Sequence, residues 1–209
     1  MRAPVRRSPA ARLSSRRGAV FVEEAGWEIP ASYGDDDAAE RAAIRDGVAI
    51  ADITARAKVD IRGDLPDEIF GPAGSIVARI SREWALVLGE PNAEADLVRA
   101  VEPLAGPRTM VTDATHLFAG FALAGPRLGE VIERATSWDL ATLARGEATG
   151  APIADVRALM VRRDVAPDVL EVYMATELAR YVWETLAGIV GDLGGAPVGW
   201  QALRAEGWR

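Results

Sequence analysis

The sequence predicts an α+β fold made of two repeated units, each a set of β-strands followed by a helix. Three observations carry this reading. Short apolar runs of strand-like composition recur in pairs, separated by turn residues. Single amphipathic helices punctuate those pairs, once over about residues 48–104 and again over about 110–190, and helices set on one face of mainly antiparallel sheets make an α+β arrangement. The alternating β-α units and Gly-rich phosphate turn of a dinucleotide-binding fold are missing.

The elements follow in chain order. Arg2, Arg6, Arg7, Arg12, Arg16 and Arg17 crowd the start with no acid among them. Residues 1–18 therefore read as a disordered, solvated basic arm, with an organelle transit peptide as the alternative. Lys58 is the only lysine, so an arginine-rich arm matches the habit of the whole chain. Residues 19–22 read as a short strand and 26–34 as a loop fixed by Pro30 and closed by Gly34. Three aspartates at 35–37 suit the positive end of a helix dipole and start a helix that stops at Gly47. Strands follow over 48–53 and 58–62. Pro66 sits where the first turn of a short helix over 65–70 tolerates it.

Residues 75–80 and 83–88 read as a hairpin. An amphipathic helix over 94–104 puts Leu97, Val101 and Leu104 on one face. Strands are expected over 110–113 and 118–124, and Pro126 opens a helix to about 135. A short segment at 140–143 precedes strands over 149–153, 156–163 and 169–174. Thr176 is placed to cap a helix over 177–189. A glycine-rich turn over 191–199 leads to a last short segment from Trp200.

Composition bounds the chemistry. At 209 residues, 49% hydrophobic and 26% charged, the chain fits one sizeable soluble domain over 19–209. No apolar run approaches the roughly 18 residues that would span a bilayer, so no membrane association is expected and the location is expected to be cytoplasmic. The absence of cysteine excludes disulfides and thiolate chemistry. A lone histidine, His116, excludes a multi-histidine metal site, and no metal is expected. The net charge of the whole chain is −7 and the arm is basic, so the body beyond it is strongly acidic; an acidic body repels phosphate backbones, so no nucleic-acid partner is expected.

One stretch is more specific than any composition. Gly26-Trp27-Glu28-Ile29-Pro30-Ala31-Ser32-Tyr33 is followed by Glu40 and Arg41, then Asp52-Ile53-Thr54, then a run closing on Gly63. Later come Asp113-Ala114-Thr115 with Gly125-Pro126, and Leu203-Arg204-Ala205-Glu206-Gly207 near the far end. Order and spacing resemble the glycine-cleavage T-protein (aminomethyltransferase) family, which binds tetrahydrofolate. The resemblance implies that family's folate-binding domain, here without the carboxy-terminal β-barrel, and tetrahydrofolate as the cofactor.

The resemblance also assigns candidate site residues. Trp27 and Tyr33 are aromatic walls for a flat pteridine, or pins for a loop. Asp113 is a site carboxylate or a turn cap. Leu170-Glu171 and Tyr173 echo the family loop whose glutamate holds the pterin, although that loop's glycines are gone. Arg204 meets the glutamate tail of folate, or pairs with Glu206. Where the family carries Gly-Gly-x-x-Asp-Asp, one acid of which is catalytic, this chain has Gly74-Ser75-Ile76-Val77-Ala78-Arg79. An alanine moves no proton and an arginine stays charged, so no catalytic residue is assigned.

In length, and in Arg7-Ser8-Pro9, the chain resembles a short form of the family, the gamma subunit of heterotetrameric sarcosine oxidase. That implies a non-catalytic accessory subunit beside flavin-dependent amine oxidase or dehydrogenase subunits. A stand-alone tetrahydrofolate-dependent enzyme and a structural protein that has lost the ligand remain the alternatives. Trp138, Trp200 and Trp208 lie near turns and are candidate interface anchors, or covers for sheet edges.

Overall fold

The computed structural model describes residues 4–34, 36–66 and 71–208. In chain order the elements are β1 (Arg6–Arg7), α1 (Ala11–Arg16), β2 (Ala19–Glu24), β3 (Trp27–Tyr33), α2 (Asp37–Asp46), β4 (Ala49–Asp52) and β5 (Ala57–Gly63). Then come β6 (Ile76–Ser81), β7 (Trp84–Gly89), α3 (Glu94–Val101), β8 (Thr109–Asp113), β9 (Phe118–Ala124) and α4 (Leu128–Ala135). The last are β10 (Ala148–Ile153), β11 (Val156–Arg162), β12 (Val169–Ala175), α5 (Ala179–Asp192), β13 (Ala196–Pro197) and α6 (Trp200–Ala205).

These strands form three sheets: β1-β3-β2, β10-β11-β12-β9-β4-β13 and β6-β7-β5-β8. The architecture is α+β, as expected. The two repeated units are interleaved rather than set apart. From the first unit, β4 pairs with β9 in the six-stranded sheet. The later strand β8 returns to pair with β5 in the four-stranded one.

Strand alternation divides the core. On one face of the six-stranded sheet, Phe121, Leu123, Leu170 and Val172 meet Leu128, Val131 and Ile132 of α4 and Val182, Trp183 and Leu186 of α5. The opposite face carries Ala122, Leu159, Val169 and Tyr173. It packs on Trp27 and Ile29 of β3, Leu86 and Leu88 of β7, and Trp200, Leu203 and Trp208 around α6. Glu171, between Leu170 and Val172, points to this second face. A smaller cluster joins α3, through Leu97 and Val101, to Val59 and Ile61 of β5.

Three expectations are corrected. The basic arm is ordered over its described residues: Arg6 and Arg7 pair in parallel with Trp27 and Glu28, and residues 11–16 are helical. Ion pairs anchor it, Arg6 to Glu94 at 2.7 Å and Arg7 to Glu28 at 2.7 Å. The stretch 26–34 is a strand rather than a loop. Pro30 is tolerated because the register with β2 shifts beside it, between Val20 and Phe21, and an irregular site needs no N–H from proline. Thr176 does not cap a helix with its side chain; its Oγ1 donates to His116 O at 2.8 Å, and α5 begins three residues later. The aspartate start of α2 is as expected, with Asp36 Oδ1 accepting from Ala38 N and Ala39 N at 3.0 and 3.1 Å. Asp35 and most of the helix expected at 65–70 lie outside the described residues.

Candidate functional site

Glu171 is fully buried, at 0% exposure, and its carboxylate is surrounded by donors. Oε1 accepts from Arg56 Nη1 at 2.8 Å and from Trp208 Nε1 at 2.7 Å, and also from Arg163 Nη1. Oε2 accepts from Tyr173 Oη at 2.7 Å. The fold explains each donor. Tyr173 lies two residues along the same strand and so on the same face. Arg163 directly follows β11, the neighbour of β12. Arg56 stands in the turn between β4 and β5. Trp208 is delivered by a turn after α6, in which Gly207 takes a φ of 92° and Trp208 N donates to Leu203 O at 3.2 Å.

Burial alone raises the pKa of a carboxyl group, but the charges of Arg56 and Arg163 and the Tyr173 hydroxyl outweigh it and hold Glu171 below the ordinary value. Burial, and then the charge of Glu171, push the Tyr173 phenol well up, so it stays a donor. The stack continues outward. The Arg56 guanidinium lies 5.0 Å from the Trp208 ring centroid. Trp208 meets Trp200 edge to face, with centroids 5.1 Å apart, and Arg204 covers Trp200 at 4.7 Å.

The sequence-assigned residues separate into two groups. Glu171 and Tyr173 are in direct contact. Arg204 reaches that pair only through the tryptophan stack; its guanidinium pairs with Glu24 at 2.9 Å and Glu90 at 3.1 Å, while Glu206 pairs with Arg41 and Arg45. Trp27, Tyr33 and Asp113 are not among the hydrogen-bond partners of Glu171. Trp27 is buried and stacks on His116 at 5.5 Å. Tyr33 is half-buried at the end of β3, where burial raises its pKa far above the ordinary value. Asp113 is exposed and caps a turn, Oδ1 accepting from Thr115 N at 2.9 Å.

Trp200 and Trp208 are core residues rather than exposed anchors, at 2% and 1% exposure, and Trp138 packs partly buried against the core. Ala78 is 2% exposed on β6, in the same apolar cluster as Tyr173 and Leu86. Arg79 points away from that cluster's chemistry and donates to Pro66 O at 2.6 Å.

Sequence reasoning missed Arg56, Arg163 and the role of Trp208. It also missed the burial of Lys58 beneath them, and it read Asp52 as a structural turn residue beside the cleft. Lys58 is 0% exposed, and its Nζ donates to Arg56 O, Thr54 O and Thr115 O at 2.7, 2.8 and 3.3 Å. Burial first, then the charge of Arg56, push its pKa down to about 7. Asp52 is 2% exposed; Oδ1 accepts from Thr54 N at 3.0 Å, and Oδ2 has no hydrogen-bond partner among the described residues.

A pterin held by Glu171 would need the carboxylate to face an open, ring-sized hollow. Here both oxygens already accept from protein donors, and an indole lies against one of them. The residues as they stand do not fit a ring bound at Glu171. Two open clefts, of about 590 and 660 Å³, lie elsewhere. The first lies beside Trp84, Ile80 and Arg157, the second beside Trp138, Glu133 and Arg162; none of the six assigned residues lines either.

This arrangement of sheets is shared with solved aminomethyltransferase-type structures. The glycine cleavage system aminomethyltransferase T of Bartonella henselae superposes with a TM-score of 0.78 at 21% identity, covering 97% of this chain and 62% of that one. A chain of heterotetrameric sarcosine oxidase from Corynebacterium sp. U-96 superposes with a TM-score of 0.66 at 16% identity, covering 91% of this chain and 97% of that one. The fold class is therefore that of the aminomethyltransferases.

In sequence, the chain is 25% identical to the aminomethyltransferases of Saccharopolyspora erythraea and Desulfitobacterium hafniense over 93% of its own length. It spans only 60% and 61% of theirs. No family model matches the chain. Sequence relatives and fold point the same way: the chain is similar to the glycine-cleavage T-protein (aminomethyltransferase) superfamily, over about 60% of the length of its curated relatives.

Proposed function

We propose that this chain is a non-catalytic accessory subunit of a folate-linked, amine-demethylating assembly, and that its own pterin site has closed. The observation that carries the reading is the saturated carboxylate of Glu171, the residue that the family resemblance sets against the pterin. Its four donors all come from the chain itself. A second observation supports it: Ala78, aligned with the family's acids, is buried among apolar side chains, where nothing can take or give a proton. The likeness in fold and in covered length to a sarcosine oxidase chain suggests the partner class, a flavin-dependent amine oxidase or dehydrogenase subunit. A cytoplasmic setting belongs to the same proposal.

Two experiments test it together. Tagged chain purified from its native cells is expected to bring down a flavin-carrying subunit, seen by flavin absorbance and mass spectrometry. The isolated chain, given tetrahydrofolate with glycine or sarcosine, is expected to form no methylene-tetrahydrofolate. Turnover by the isolated chain would instead support a stand-alone enzyme working through Glu171, Asp113 and Arg204. A chain that binds neither folate nor a flavoprotein would be left with a purely structural role.

A further inference from the structure

We infer that Trp208 is the built-in occupant of a ring-binding site, and that the site accepts a free, flat heterocycle with an N–H donor on its edge once the indole is withdrawn. Trp208 makes three kinds of contact, and each is one that a planar aromatic ligand makes with its receptor. Its edge N–H donates to the buried carboxylate of Glu171 at 2.7 Å. Its ring lies against the Arg56 guanidinium, 5.0 Å from the centroid. Trp200 meets it at an interplanar angle of 81°. The side chain is 1% exposed, so the enclosure is complete. An ordinary core tryptophan is held mainly by apolar neighbours; this one sits between an anion, a cation and a second indole.

One feature of the enclosure is not matched by the indole. Arg56 Nη2 is buried and has no hydrogen-bond partner among the described residues, and a buried cationic donor without an acceptor is costly. Indole has a donor edge and no acceptor. A fused ring with a donor beside a carbonyl or ring nitrogen would keep the hydrogen bond to Glu171 and bring into the enclosure the acceptor that indole lacks. The site thus favours lactam-edged and aminopyrimidine-edged bicyclic rings over plain hydrocarbons. This deepens the closed-site reading and rests on it for the choice of the pterin class alone.

The test uses the full chain carrying Trp208→Gly, with indole, its N–H-free isostere benzothiophene, and pterin as probes, read by calorimetry and thermal melting. Indole is expected to bind one to one and raise the melting temperature, with benzothiophene weaker by on the order of tenfold, the worth of a hydrogen bond to a buried charge. Pterin is expected to bind at least as tightly as indole. Wild type is expected to bind none of the three.

Equal binding of indole and benzothiophene would overturn the inference, because the hollow would then be mere apolar packing. So would no binding by a folded Trp208→Gly chain. Should that variant fail to fold alone, added indole is expected to restore its near-ultraviolet circular dichroism and benzothiophene is not; restoration by neither would overturn the inference. Tight tetrahydrofolate binding by the wild type would overturn the closed-site proposal and leave the indole result standing.

Discussion

Glu171 and Asp52 are both carboxylates closed off from water, at 0% and 2% exposure, yet their surroundings are opposite. Glu171 has two arginines, a phenol and an indole on its two oxygens. Asp52 has the Thr54 backbone N–H on Oδ1 and, among the described residues, no donor in hydrogen-bond geometry on Oδ2, with only the hydroxyls of Ser8 and Thr54 and the charge of Lys58 close by. The first is held below its ordinary pKa by positive charge; the second is pushed above it, chiefly by burial. A buried charge is tolerated when it is paired and fully hydrogen-bonded. Glu171 is therefore the better satisfied of the two, because the chain itself supplies donors to both of its oxygens.

The largest effect that would break this contrast comes from removing Glu171. Glu171→Ala leaves Arg56 in the core without its ion-pair partner, and breaking a buried pair costs about 3–5 kcal/mol. Denaturant unfolding is expected to show a loss of that size. A loss under about 1 kcal/mol would mean that the network contributes little.

The next effect is in pH dependence, where the two carboxylates have opposite signs. Glu171 titrates lower in the folded chain than in the unfolded one, so its contribution is present above the unfolded value of about 4.3 and is lost as pH falls through the folded value. Asp52 titrates higher when folded, so its contribution is present below about 3.9 and is lost as pH rises through its folded value. Stability measured from pH 3 to pH 8 is expected to lose part of its acid-side fall in Glu171→Gln. In Asp52→Asn it is expected to lose part of its fall towards neutral pH. The same slope in both variants would remove the distinction.

At neutral pH, Asp52→Asn is expected to be neutral or stabilising by up to about 1 kcal/mol. Asparagine keeps the acceptor for Thr54 N and sheds the buried charge. A strong destabilisation would show that Oδ2 has a partner in solution, such as an ordered water.

The smallest effect is expected at Arg204. Its ion pairs with Glu24 and Glu90 are partly solvated, and such pairs contribute about 0–1 kcal/mol. Arg204→Gln is expected to shift the unfolding free energy within that range. A larger loss would mean that its stacking on Trp200 holds the whole aromatic column in place.

Much of this architecture was legible from periodicity and turn residues, because most strands and helices carry their own local signal. Residues 84–88 and 118–124 are apolar runs bounded by breakers, and α2 begins at an aspartate and ends at Gly47. The parallel pairing of Arg6 and Arg7 with Trp27 and Glu28 was not legible. A two-residue strand shows no period, and its partner is about twenty positions away. Pro30 misled for a related reason: proline signals a loop, and only the pairing with β2 reveals the irregular register that admits it.

The site was half legible. Glu171 and Tyr173 stand out through family likeness, and alternation along β12 puts them on one face. Arg56 sits in a bland Thr54-Ala55-Arg56-Ala57 stretch, where an arginine reads as surface. Only a partner 115 positions away makes its burial intelligible. Trp208 read as a turn residue because nothing local shows that the chain folds back after Gly207.

The central claim, that the chain's own indole occupies Glu171, is tested most directly by the Trp208 Nε1–H resonance in a ¹⁵N-resolved spectrum, assigned by its disappearance in Trp208→Phe. The expected result is a signal protected from exchange with deuterated water and unmoved by saturating tetrahydrofolate. A signal that exchanges within the dead time, or one that shifts as folate is added, would contradict it.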